Sequence, residues 1–459
     1  MSTHARILIA LIVVLELLLG LVAGGYFWFR SAYIKVDGIL YEKDLPSLDL
    51  RGQDVSMEHF QHLRESLPNC LIYWEIPFGD TSYPEDTTEI RVSSLTEEEV
   101  DQLQYFRNLQ RVDATDCRDY EMISLIQQDY PQIHVDYVVE IDGQTLAPDT
   151  ESLEFSEGRG EFGELMANLR YLPRMKTIYF DEPGIPAEGL ESLMKEYPEI
   201  RMSWDKTVFG QRLPSDTREL DISGMKFKTV KEIEDQANYL TGLEKLIMCD
   251  TRLDNEQIAA FRARSRDKYQ VIWNVQVGAA QLRTDQKGFI PSNFNLRVTN
   301  KDTENLKYCE GLLAVDFGHI SVSELSWVSG TPHLKYLILG DGDVQNEDLA
   351  PLAQLKELEY LEIFMSPVTD ISPLAGLTSL RDLNLSRSYV DVGPLGKMPW
   401  LRNLWLENNK LNQAEKKYLY ENLPNTNIDW TNDPTCHGKG WRRMPSYYDM
   451  RDLLGMWYM

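Results

Sequence analysis

Between Leu334 and Leu411 one pattern recurs, and it leaves the chain few folds to choose from. Leu358-Leu361-Ile363 runs on to Ser366 and Val368, Leu380-Leu383-Leu385 to Ser388 and Val390, and Leu401-Leu404-Leu406 to Asn409 and Leu411. The template is LxxLxLxxNxL, and Leu334, Leu358, Leu380 and Leu401 open segments 21 to 24 residues apart. In the LxL portion the strand period sends both apolar side chains to one side and the residue between them to the other. One such coil cannot bury its apolar edge alone, so coils must stack, each strand pairing with the next in parallel.

Upstream, Leu312-Val315-Phe317, Leu243-Leu246-Met248, Met175-Ile178-Phe180 and Leu109-Val112-Ala114 keep the spacing with more varied residues. A second class opens on threonine, at Thr217-Leu220-Ile222, Thr150-Leu153-Phe155 and Thr87-Ile90-Val92, with Leu45-Leu48-Leu50 as an apolar relative. A third element places an aromatic six residues after proline: Pro68 and Trp74, Pro131 and Tyr137, Pro198 and Trp204, Pro424 and Trp430. Trp273 fits without the proline, and glycine follows at Gly79, Gly143, Gly210 and Gly278. This spacing predicts an extended strand and a turn. Helical periodicity between coils covers Val55 to Leu67, Glu98 to Phe106, Gly189 to Tyr197 and Asn255 to Arg264. Asp370 to Leu374 and Asp391 to Leu395 are short and carry proline, which predicts 3₁₀ turns. The expected architecture is an α/β solenoid with a parallel concave sheet and helices or 3₁₀ turns on its convex side.

The ends depart from the repeat. Residues 7–29 are nearly all apolar, interrupted by Glu16 and a few glycines, long enough to cross a bilayer, and close on Tyr26-Phe27-Trp28-Phe29. We read them as an uncleaved transmembrane signal anchor, with 1–6 cytoplasmic and a C-terminal ectodomain outside the cell in a single-pass arrangement. Repeats with proline-aromatic strands are expected over 30–280, an irregular insertion over 281–305, and leucine-rich coils over 306–430. Residues 431–459, with Tyr447, Tyr448, Met450, Leu453, Leu454 and Trp457, are expected to cap the last apolar face, the alternative being a partner-binding helix.

The net charge of −26, without any block of Lys or Arg, argues against nucleic acid as a partner. Five cysteines, Cys70, Cys117, Cys249, Cys309 and Cys436, are scattered and include no CxxC pair. No GxSxG, HExxH or P-loop is present, so an enzyme is disfavoured and no cofactor is expected. His59 and His62 lie one helical turn apart without an evident third ligand, and solvent exposure is the preferred reading of both. Cys436-His437 is equally thin, and Asp341-Gly342-Asp343 reads as a turn rather than a calcium loop.

From Leu334 to Leu411, and above all at Val368-Thr369-Asp370-Ile371-Ser372-Pro373-Leu374-Ala375-Gly376-Leu377, the chain resembles the internalin-like class of bacterial leucine-rich repeats. The wider ectodomain, including Met248-Cys249-Asp250 and Met398-Pro399-Trp400-Leu401, looks like membrane-anchored leucine-rich-repeat proteins of anaerobic Gram-positive bacteria. Internalins bind host proteins on the concave face, so the resemblance implies recognition at a cell surface without naming a ligand. The chain departs from them in its N-terminal apolar segment and in carrying no LPxTG-type sequence.

Strand parity puts Tyr336, Ile338, Tyr360, Glu362, Phe364, Asp382, Asn384, Asn403, Trp405 and Glu407 on the concave side, expected to be exposed as an aromatic and acidic stripe. Rings and carboxylates together suit a protein or glycan partner. The same rings can equally stack along the sheet as a structural ladder. A structural envelope scaffold, self-associating in the membrane, is the other function this pattern allows.

Overall fold

A computed structural model describes residues 3–53, 55–291, 297–340, 343–430 and 440–456. The chain divides into two compact units, Met1–Trp204 and Asp205–Met459.

In the first unit an α-helix, Thr3–Ala32, precedes the strands, and its Val14–Ala32 portion is apolar and long enough to cross a membrane. A hairpin of Tyr33–Val36 with Ile39–Glu42 follows. Parallel pairs then recur: Ser47–Asp49 with Leu71–Tyr73, and Glu89–Arg91, Arg111–Ala114 and His134–Tyr137 as a three-stranded sheet. Ser152–Phe155 pairs in parallel with Thr177–Asp181. The registers Ile90 to Val112 to Val135 and Leu153 to Ile178 align the apolar residues that the repeat spacing singles out.

Helices return the chain between strands at Met57–Ser66, Glu97–Gln102 and Ala187–Glu196, within a few residues of the periodicity. Local chemistry sets where the first two begin. Ser56 accepts from His59 N, and Thr96 with Glu99 closes a capping box, satisfying amides that the first turn leaves open. On Met57–Ser66 the buried face is Phe60 and Leu63, and Phe60 stacks on Trp74 with ring centroids 4.0 Å apart.

The proline-aromatic element resolves into more than a strand and a turn. After each buried aromatic the chain folds back as an antiparallel hairpin: Glu75–Phe78 with Thr81–Pro84, and Val139–Ile141 with Gln144–Leu146. In the second unit the hairpins are Asp205 to Val208 with Gln211–Pro214, and Asn274–Val277 with Ala280–Arg283. Asp142-Gly143 and Phe209-Gly210 have φ of +51 and +71 and of +50 and +73, the two left-handed residues that match a tight turn to strand twist.

The second unit contains a three-stranded parallel sheet, Glu219–Asp221, Lys245–Ile247 and Gln270–Ile272. It also holds a seven-stranded parallel sheet in sequence order from Gly288–Phe289 to Asn427–Asp429. Val315, Leu337, Leu361, Leu383, Leu404 and Ile428 lie side by side across this sheet. The first five are fully buried in the leucine core. The N position of the template works for the backbone. Asn409 Nδ2 donates to Leu385 O at 2.7 Å, and Ser388 Oγ donates to Ile363 O at 2.8 Å.

Opposite the strands, Ser326–Gly330, Asn346–Gln354 and Ser372–Gly376 are 3₁₀ turns, and Val392–Leu395 is a single α-turn. Within 281–305, expected as an irregular insertion, about half of the described residues lie in regular elements. They supply the end of a hairpin, the first strand of the seven and a helix, Asn300–Thr303. Residues 292–296 lie outside the described residues.

Candidate functional site

The outward positions of the seven-stranded sheet alternate with its leucines as strand parity requires, but the exposure expected for them is not found. Tyr336, Ile338, Tyr360, Glu362, Asp382, Asn384, Trp405 and Glu407 are all buried, and Phe364 and Asn403 are half-buried. Strands Tyr336–Ile338, Tyr360–Glu362 and Asp382–Asn384 are therefore buried on both faces.

For Tyr336, Ile338, Tyr360, Glu362 and Asp382 the physical reason is the C-terminal segment. Instead of covering the last coil, the helix Pro445–Leu453 lies on the sheet face, where Tyr447 and Met450 join Ala314, Tyr336, Ile338 and Tyr360 in a second apolar cluster. The rings of Tyr360 and Tyr447 lie 6.5 Å apart, and those of Phe364 and Trp441 5.5 Å apart. Ser446 Oγ donates to Asp382 Oδ2, whose other oxygen accepts from Asn403 Nδ2 at 2.7 Å. Glu407 meets Arg387 at 3.5 Å and accepts from Asn408 Nδ2 at 3.1 Å. Asn384 Oδ1 accepts from Ser386 N at 3.0 Å, which is a structural use of that side chain.

Beside this cluster a cleft of roughly 240 Å³ is lined from the sheet by Asp316, Glu362 and Phe364, and from the segment by Trp441, Arg442 and Arg451. Glu362 Oε2 accepts from Tyr360 Oη at 2.7 Å, and Asp316 Oδ1 accepts from Gly318 N at 2.7 Å. Burial pushes the Glu362 carboxyl up to about 7, with the Asp316 charge adding to the rise and the Tyr360 hydroxyl and Arg442 opposing it. Burial raises Asp316 and Tyr447 as well, and Tyr360 lies well above the usual tyrosine range. Two carboxyls on a covered sheet face thus resist ionisation, and the arginines facing them come from the covering segment. Sequence reasoning found the sheet side of this site and missed its cover. The stripe Tyr447, Met450 and Leu453 at three-residue spacing, opposite the rings of Tyr336 and Tyr360, was the signal available.

In the first unit His59 and His62 are not simply solvated. Both Nδ1 atoms face Asp37 Oδ2, at 2.8 and 2.9 Å, and Tyr41 Oη lies 3.1 Å from His59 Nε2. The hydrogen bonds to the two imidazoles hold Asp37 below the usual carboxylate range, and the Asp37 carboxylate raises His62. Among the described residues no group of three or more His, Cys, Asp or Glu side chains is arranged to hold a metal ion. Asp341, Gly342, Cys436 and His437 lie outside the described residues.

No family model matches the sequence, and no curated protein does. Among solved structures, the chain is similar to an internalin of Listeria monocytogenes at 16% identity, covering 81% of this chain and 88% of that one, with a TM-score of 0.27. Internalin C2 of the same organism matches at 18% identity over 49% of this chain and 88% of that one, TM-score 0.26. A leucine-rich-repeat protein of Leptospira interrogans matches at 14% identity over 74% and 93%, TM-score 0.25. At these scores the repeat register described above, and not the matches, carries the assignment of leucine-rich-repeat-type coils.

Proposed function

We propose that this chain is a non-catalytic recognition protein of a bacterial surface. In this reading the coils form a solenoid, the N-terminal helix holds it to the membrane, and the aromatic and acidic sheet face of the second unit takes a protein or glycan partner. The observation that carries the reading is the in-register parallel stack. It aligns Tyr336, Tyr360 and Asp382 at one outward position of consecutive strands, and Ile338, Glu362 and Asn384 at another, so that rings and carboxylates share one face. Rings supply contact area at low conformational cost, and carboxylates fix orientation. A protein partner is favoured over a glycan because the face already accommodates a peptide helix.

The test is photo-crosslinking in the intact chain from the half-buried rim positions Phe364 and Asn403, with Arg111 of the first unit as control. Recognition predicts adducts with a distinct protein from the rim positions alone. Adducts only with further copies of this chain would support the scaffold reading instead, and adducts only from Arg111 would move the site to the other unit.

A further inference from the structure

The element on the sheet face has the properties of a ligand rather than of a core helix. Pro445–Leu453 is nine residues long, too short to hold a helix in water by itself. Its order therefore comes from the surface beneath it, as for a segment that folds on binding. Tyr447, Met450 and Leu453 form one stripe, and the cluster they join is separate from the leucine core. The segment's backbone bonds are its own: Arg443 N to Gly440 O, Met444 N to Trp441 O and Leu454 N to Met450 O. The strands beneath bond to one another, so the sheet ladder does not depend on the segment.

The two surfaces are also complementary in charge. The sheet side of the cleft offers Asp316 and Glu362, while the segment offers Arg442 and Arg451. Seating is close at the far end, where a Cβ added to Gly288 would stand 2.2 Å from Leu453 O and 2.7 Å from its carbonyl carbon.

We propose that this sheet face is a receptor for a basic, ring-bearing amphipathic helix, that residues 440–456 fill it in cis, and that an outside protein is bound by exchange with that segment. The proposal rests on the recognition reading and adds the partner's chemistry and its regulation. The segment follows the last strand of the sheet, Asn427–Asp429, in the same chain, so it competes for the face intramolecularly. An intramolecular ligand meets its site at an effective concentration of order millimolar, so a segment of about ten micromolar intrinsic affinity weakens any competitor about 100-fold while it is seated.

The experiment uses the full chain and a fluorescent peptide of residues 440–456 as probe. Two variants open the face from the segment side, Met450→Asp and Tyr447→Asp. Both are expected to bind the probe about 100-fold more tightly than the unaltered chain. A probe carrying Met450→Asp should not bind, and one carrying Arg442→Glu with Arg451→Glu should lose about tenfold or more. Hydrogen exchange of 445–453 reports opening, and exchange of 360–362 reports whether the sheet is intact. A variant with a disturbed sheet is set aside, and the other decides. Equal probe binding by the unaltered chain and an opened, intact variant would overturn the proposal. If the probe exchanges as expected but photo-crosslinking of the opened variants captures no outside protein, the recognition reading fails and the cis contact stands.

Discussion

The three-stranded sheet of the first unit and the seven-stranded sheet of the second are built to the same register rule and use their outward positions in opposite ways. On the three-stranded sheet of the first unit, Ile90, Val112 and Val135 face the core, and the residues beside them carry charge. Arg111 pairs with Glu89 at 3.2 Å, Arg91 with Asp113 at 3.8 Å and His134 with Asp136 at 3.2 Å, with Glu89, Arg91, Arg111 and His134 exposed. On the seven-stranded sheet the matching positions carry Tyr336, Ile338, Tyr360 and Glu362, and they are covered. Backbone and register alone therefore do not decide whether a sheet face stays open. Charged neighbours satisfy one another in water at little gain, whereas a row of rings gains free energy when an apolar stripe is laid over it.

If that contrast is right, an outward residue of the second unit should matter as much as an inward one. Leu383→Ala removes a fully buried core side chain and is expected to cost about 2–5 kcal/mol. Tyr360→Ala should cost about 3–5 kcal/mol, because it empties a filled site and deprives Glu362 of its hydroxyl donor. The readout is the urea midpoint followed by hydrogen exchange of 382–384 and 403–405. A loss below about 1 kcal/mol for Tyr360→Ala would mean that the cover adds little and that the two faces differ less than their burial implies.

The inward half of this contrast was legible in the sequence. The LxL spacing identifies Leu337, Leu361, Leu383 and Leu404 as one buried row, and they pair in that register. Helices were legible from their apolar spacing, which placed them within a few residues of Met57–Ser66 and Glu97–Gln102. The return strands after Gly79 and Gly143 were not, since Thr81–Pro84 and Gln144–Leu146 are short and lack strict alternation. The cover was not legible either. Parity tells which residues turn away from the leucines, but not what lies beyond them, and the covering helix is about 60 to 130 residues downstream in the chain. Nor does a sequence reveal that Glu362 is buried, because its neighbours along the chain do not supply the lid.

Glu362 sharpens the comparison through pH. Its carboxyl sits at about 7 in the covered face, against an ordinary value of 4.5, and Asp316 is raised beside it. The groups facing it are Asp316, Tyr360, Tyr447 and Arg442. Below pH 4.5 the carboxyl is protonated whether the face is covered or open, and it contributes no pH dependence. Between 4.5 and about 7 the covered form keeps a proton that the open form releases, so each unit of rising pH weakens closure by ~1.4 kcal/mol. Above 7 the penalty levels off, on the order of 3 kcal/mol. The second unit should therefore unfold at lower urea near pH 8 than near pH 5, and Glu362→Gln should flatten most of that difference. A midpoint that rises over this range, or one that Gln leaves unchanged, would place the carboxyl in water and open the face.

The smallest effect belongs to the first unit. Arg111 touches Glu89 and Asp136 on the neighbouring strands, yet its side chain is 50% exposed and Glu89 is 53% exposed. Each partner is well hydrated when the pair is broken, and ordering the long guanidinium arm offsets part of the attraction. Arg111→Ala is therefore expected to move the urea midpoint far less than Tyr360→Ala does, with the loss shrinking further in salt as the Debye length falls to about 3 Å at 1 M. The check is the urea midpoint of the first unit with and without added sodium chloride, set beside Tyr360→Ala in the second. A salt-insensitive loss as large as that of Tyr360→Ala would mean that the arm of Arg111 packs over the strands as Tyr447 packs over Tyr360. In that event both units would hold their sheet faces closed, one with an arginine stem and the other with a helix.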